Sequence, residues 1–118
     1  IENLPDTLIE FQIQNRDKDD IIINIPESIG RFKNLDMILL DNCVASLPNS
    51  IGELKLLRFL ALPNNKKLTA LPESIKNLPN LFFLNVKGCP NVTVPQSILD
   101  RAEDMCGGCG MYDINPLN

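Results

Sequence analysis

The chain has 118 residues, 44% of them hydrophobic and 22% charged, the size and balance of one ordinary globular domain. Fifteen acids against eleven Lys and Arg give a net charge of −4, which argues against nucleic-acid binding and against docking on anionic membranes. No apolar run approaches the ~18 residues that a membrane span needs, and the lack of histidine removes Ser-His-Asp and Cys-His catalysis.

From the N-terminus, Leu4-Pro5-Asp6-Thr7-Leu8 opens a motif that recurs along the chain. It returns as Ile25-Pro26-Glu27-Ser28-Ile29, Leu47-Pro48-Asn49-Ser50-Ile51, Leu71-Pro72-Glu73-Ser74-Ile75 and Val94-Pro95-Gln96-Ser97-Ile98. The prolines stand 21, 22, 24 and 23 residues apart. A near-constant period in the low twenties predicts one structural unit stacked several times. Between the copies lies a second pattern, Leu-x-x-Leu-x-Leu-x-x-Asn/Cys. It reads Leu35, Ile38, Leu40, Cys43, then Leu57, Leu60, Leu62, Asn65, then Leu81, Leu84, Val86, Cys89, with a looser version at Leu8, Phe11 and Ile13. Together, and in register over roughly residues 3 to 99, these patterns resemble the leucine-rich repeat family. The resemblance implies an α/β repeat solenoid of four to five units over residues 1–99. A parallel sheet would line its concave side and short helical or irregular turns its convex side. Residues 96–118 would supply a C-terminal helical cap and a Gly/Cys tail.

Leu8 both closes the first motif and opens the first strand, so the first repeat is shortened and its outer turn compressed. Arg16-Asp17-Lys18-Asp19-Asp20 reads as a solvated loop. It is no calcium loop, because no Gly stands at the sixth position and no Glu closes it. Ile21-Ile22-Ile23 is then expected to return the chain to the core. From Leu35 to about Leu99 the apolar alternation predicts short parallel strands. On the return segments, Ser28, Ser50 and Ser74 are expected to cap short helical turns. Ile29, Ile51, Ile75, Phe32, Leu54 and Leu78 face inward there. Ile98, Ala102 and Met105 share a helical face, which predicts a helix over 96–105 covering the open side of the last repeat. The first repeat has no comparable cover, so a segment preceding Ile1 or a partner is expected to supply one.

By the resemblance, Cys43, Asn65 and Cys89 form a structural ladder that hydrogen-bonds the backbone of adjoining turns. Cys106-Gly107-Gly108-Cys109 is the one motif open to chemistry. A flexible Gly-rich tail is the favoured reading. A zinc half-site at Cys106 and Cys109 completed by a partner, or an incidental disulfide, are the alternatives. No cofactor is expected. Free thiols at Cys43 and Cys89, without the N-terminal cysteine cap that secreted members of the family carry, point to an intracellular, cytoplasmic setting.

The strand residues between the buried leucines would point to the concave side. By column they are Glu10, Met37, Phe59 and Phe83, then Gln12, Leu39, Ala61 and Asn85, then Gln14, Asp41, Pro63 and Lys87. Parallel strands lie ~4.8 Å apart, so Met37, Phe59 and Phe83 form a row beside Leu39, with Phe82 at its border. Aligned apolar and aromatic side chains of this kind mark protein contacts. The expected function is non-enzymatic protein binding through Met37, Leu39, Asp41, Phe59, Ala61, Phe82, Phe83 and Asn85. The alternative is a structural subunit of a larger assembly, contacting neighbours through its edges and convex side.

Overall fold

A computed structural model describes residues 2–17, 21–104 and 107–114. It shows a small α/β domain built on one six-stranded mixed sheet with few, short helical segments. The strands are β1 (Glu10–Gln14), β2 (Met37–Asp41), β3 (Phe59–Ala61), β4 (Phe83–Asn85), β5 (Ala102–Asp104) and β6 (Met111–Ile114). Their order in the sheet is β1-β2-β3-β4-β6-β5. The first four are parallel, and β6 runs antiparallel to both β4 and β5.

Alternation along each strand decides which face is covered. Ile38 and Leu40, Leu60 and Leu62, and Leu84 and Val86 are buried on one face, where they meet Ile29, Phe32, Ile51, Leu54, Ile75 and Leu78 from the return segments. Past β2, β3 and β4 the backbone turns sharply through a left-handed residue: Asn42 (φ 55°), Asn64 (φ 62°) and Gly88 (φ 79°). Asn and Gly are the residues that adopt this conformation at least cost. At Gly88 a side chain is also excluded by space, since a Cβ would lie 2.3 Å from Asn64 Oδ1.

The return segments are 3₁₀ turns at Glu27–Arg31, Asn49–Glu53 and Glu73–Asn77. Serine capping does not occur. The cap positions are Pro26, Pro48 and Pro72, whose carbonyls accept from Ile29, Ile51 and Ile75 N–H at 3.0, 3.2 and 3.2 Å. Each serine stands too far inside its turn to cap it. Ser28 instead donates to Glu2, and Ser74 Oγ donates to the Asn49 carbonyl of the preceding turn at 2.7 Å. Close stacking of the turns explains two glycines. A Cβ on Gly30 would lie 2.9 Å from Ser50 Cβ, and one on Gly52 would lie 2.5 Å from Ser74 Cβ. The third turn carries Lys76 at the same place, and the next return segment is the short helix Gln96–Leu99 in place of a 3₁₀ turn.

The expected return of Ile21-Ile22-Ile23 to the core is also corrected. Ile21 and Ile22 are about half exposed, and only Ile23 rejoins the stack, its N–H donating to the Cys43 carbonyl at 2.6 Å. Arg16 and Asp17 are exposed, while residues 18–20 lie outside the described residues.

The larger correction concerns the C-terminus. The helix α1 spans only Gln96–Leu99, and the chain then enters β5. Ile98 is buried, but Ala102 belongs to a strand, and Met105 lies outside the described residues. Nor is 107–114 a free tail. Gly107, Gly108 and Gly110 take φ of 67°, 110° and 90°, which turns the chain into β6. The physical reason lies at β4, whose backbone would otherwise be a bare sheet edge. Val86 N–H donates to the Gly110 carbonyl at 2.7 Å and Ile114 N–H donates to the Phe82 carbonyl at 2.8 Å. A helical cap covers side chains but leaves such backbone groups unpaired.

Candidate functional site

On the sheet face turned away from the core, register brings Glu10, Met37, Phe59 and Phe83 into one row, and Gln12, Leu39, Ala61 and Asn85 into the next. Met37, Leu39, Phe59 and Phe83 are half-buried, Phe82 is 39% exposed, and Ala61 is buried beneath its neighbours. The Phe59 ring lies 4.7 Å from Phe82, edge to face, and 6.3 Å from Phe83. Three rings therefore form one continuous aromatic cluster. Gln12 Nε2 donates to Met37 Sδ at 3.6 Å on its flank.

Arg58 borders this cluster, with its guanidinium 5.4 Å from the Phe59 ring centre and 6.0 Å from that of Phe82. A two-point pair with Asp36 holds it there, one contact being Nη2 to Oδ2 at 3.0 Å. The hydrogen bond from Arg58, with its charge, keeps the Asp36 carboxyl below its ordinary range, against an opposing contribution from burial. Asp41 accepts from Asn64 Nδ2 at 3.1 Å, and Asn85 Oδ1 accepts from the Lys87 backbone N–H at 2.9 Å. Asp41 and Asn85 are thus oriented at the margin of the cluster.

Register also adds residues that the sequence reading left out. Asp113 stands beside Phe83, Met111 beside Asn85, and Glu103 beside Asp113. A signal was present: Gly107-Gly108 separates two short segments, and the second alternates as Met111-Tyr112-Asp113-Ile114. The helical spacing of Ile98 and Ala102 points the other way.

Cys43, Asn65 and Cys89 occupy the far ends of the strands, away from the aromatic cluster. Asn65 Oδ1 accepts from Cys43 and Val44 N–H at 2.8 and 2.9 Å, and its Nδ2 donates to the Leu40 and Leu62 carbonyls at 2.8 and 3.0 Å. Asn65 N–H donates to Cys89 Sγ at 3.3 Å, and that thiol donates to the Leu62 carbonyl at 2.9 Å. Cys43 and Cys89 are free and buried, whereas Cys109 is disulfide-bonded; Cys106 lies outside the described residues. Among the described residues no group of three or more His, Cys, Asp or Glu is placed to hold a metal ion. Among the described residues, a cleft bounded by Lys66, Cys89, Val92, Gly108 and Tyr112 has Lys66 as its one charged lining side chain and assembles no acid–base pair. No helix among the described residues is long and apolar enough to cross a membrane.

Burial raises both free thiols, helped at Cys43 by the charge of Asp41 and opposed at Cys89 by backbone hydrogen bonds from Asn65 and Asn64. Because the folded-state pKa lies above the unfolded one, folding favours the protonated thiol. That stabilisation is complete below the ordinary value near 9.0 and is lost as pH rises beyond it. The urea midpoint should therefore fall between about pH 8 and about pH 10. A Cys43→Ala, Cys89→Ala variant should show a smaller fall over the same range, and an equal fall would rule the thiols out as its source.

Compared with known proteins, the chain matches no family model, and no curated protein matches it.

Proposed function

We propose that this chain is a leucine-rich repeat segment acting as a non-enzymatic protein-interaction module, and that it binds a protein partner through the sheet face carrying Met37, Phe59 and Phe83. The observation that carries the reading is the aromatic cluster. Three rings in mutual contact, with Phe82 still 39% exposed, sit on a face that the core does not use. Aromatic side chains held in place by neighbours lose little entropy on binding and commonly anchor interfaces. Support for the repeat reading comes from the parallel order β1 to β4, the three 3₁₀ turns and the Asn65-centred ladder. For the compartment, free Cys43 and Cys89 favour an intracellular setting, while the Cys109 disulfide counts against it.

The second reading, a structural segment lodged in a larger assembly, is favoured by the β1 end of the sheet. Ile9 is 57% exposed there, beside half-buried Phe11, Ile13 and Ile23, on a strand whose outer edge has no partner among the described strands. Such an edge is a surface to which another chain can add.

Cross-linking mass spectrometry on native lysate separates the two. The wild-type chain should retain a partner whose cross-links flank Phe59 and Phe83. A Phe59→Glu, Phe83→Glu variant, checked for folding by circular dichroism, should lose it. Retention by the variant, with cross-links at β1 or on the 3₁₀ turns, would replace the first reading with the second.

A further inference from the structure

The charges around the aromatic cluster specify its partner more closely than the rings do. Glu10 stands beside Met37 at one end of the row, and Asp113 stands beside Phe83 at the other. Beyond Asp113, Glu103 sits directly opposite it across the β5–β6 pair. Two like charges facing each other on adjacent strands repel, and a nearby cation relieves the repulsion. Asp41 adds a fourth carboxylate at the strand ends. None of these four is in an ion pair with a described cation. The opposing charges are few. Arg58 is already matched by Asp36, and Arg16, Lys66 and Lys87 stand with Asp41 at the strand-end margin, away from Glu10 and Asp113 at the two ends of the row. The face is therefore an apolar strip with carboxylates at both ends.

From this arrangement we propose that the face takes a basic peptide segment, one with apolar side chains in the middle and Lys or Arg on both sides. The inference rests on the protein-binding reading of the same face and adds the chemistry of the partner. Size follows from the sheet. From the strand of Glu10 to that of Asp113 there are four strand spacings, roughly 19 Å at ~4.8 Å each. An extended peptide covers that distance in about six residues, at ~3.3 Å per residue. The fitting segment lies across the strands. Its cations meet Glu10 at one end and Asp113 with Glu103 at the other, and its apolar side chains rest on Met37, Phe59 and Phe83.

The test uses fluorescence polarisation with labelled synthetic heptapeptides in three versions: Lys at both ends with Leu and Phe between, Glu at both ends with the same centre, and Lys at both ends with a Ser centre. The Lys-ended apolar peptide should bind at least about 10-fold more tightly than either other, and its binding should weaken between about 50 and 500 mM salt. In a Glu103→Lys, Asp113→Lys variant, whose changes are both on exposed side chains, the preference for Lys-ended over Glu-ended peptide should shrink or reverse. Equal binding of Lys- and Glu-ended peptides, lost in Phe59→Glu, would overturn the basic partner while leaving the face as a binding site. No binding by any of the three, or binding that survives Phe59→Glu, would overturn the inference and the protein-binding reading with it.

Discussion

Replacing Asn65 with Ala should cost the fold about 4 kcal/mol. One side chain there serves four backbone groups, accepting from two N–H groups and donating to two carbonyls, all within 3.0 Å. Asn65 is 1% exposed, so water cannot take its place. An unpaired buried backbone group costs roughly 1–3 kcal/mol, and four that share one side chain add less than fully. Asn65→Cys should be milder than Asn65→Ala, because a thiol can donate to the Leu62 carbonyl as Cys89 already does at 2.9 Å. The measurement is urea unfolding of the three chains. A loss below about 1 kcal/mol for Asn65→Ala would mean that the turns hold their own geometry without the ladder.

The Asn65 site is also largely legible in the sequence. The column of Cys43, Asn65 and Cys89 follows from spacing alone, because each stands three residues beyond the last strand residue of its pattern. The rows of Met37, Phe59 and Phe83 were readable for the same reason: parallel strands of equal phase place equivalent residues side by side. What spacing could not supply was the physical cost of each alternative at the ends. Ile98 and Ala102 fit a helix at i and i+4, and nothing local contradicts it. The competing structure gains its advantage from distant groups, the edge of β4, which residues 110–114 reach only in the folded chain. Serine capping failed for a related reason. Ser28, Ser50 and Ser74 are good cap residues, but the prolines before them take the cap positions, and stacking of successive turns gives Ser74 an acceptor in its neighbour. In both places a local preference yielded to contacts between one turn of the chain and the next.

Ile114→Asp should destabilise the domain by about 3 kcal/mol and release the β5–β6 hairpin from β4. Ile114 is 3% exposed, joins the main apolar core, and pairs with Ala102 across the hairpin. A carboxylate at that place is buried without a cation, or else the strand lifts away and takes its hydrogen bonds with it. The two outcomes share one signature in hydrogen exchange: the Val86 N–H, bonded to the Gly110 carbonyl at 2.7 Å, should lose protection while Leu60 and Ile38 keep theirs. The conservative Ile114→Val should cost about 1 kcal/mol and leave Val86 protected. Freed of β6, the β4 edge exposes unpaired backbone beside Phe82 and Phe83, so the Asp variant should also self-associate in light scattering. Full protection of Val86 in the Asp variant would mean that β6 stays on β4 without Ile114 in the core. Loss of protection spread evenly across β1 to β4 would mean that the hairpin is inseparable from the rest. The expected pattern lies between these: a strand added to an existing sheet, which closes its edge and carries Asp113 and Glu103 onto the face of Met37, Phe59 and Phe83.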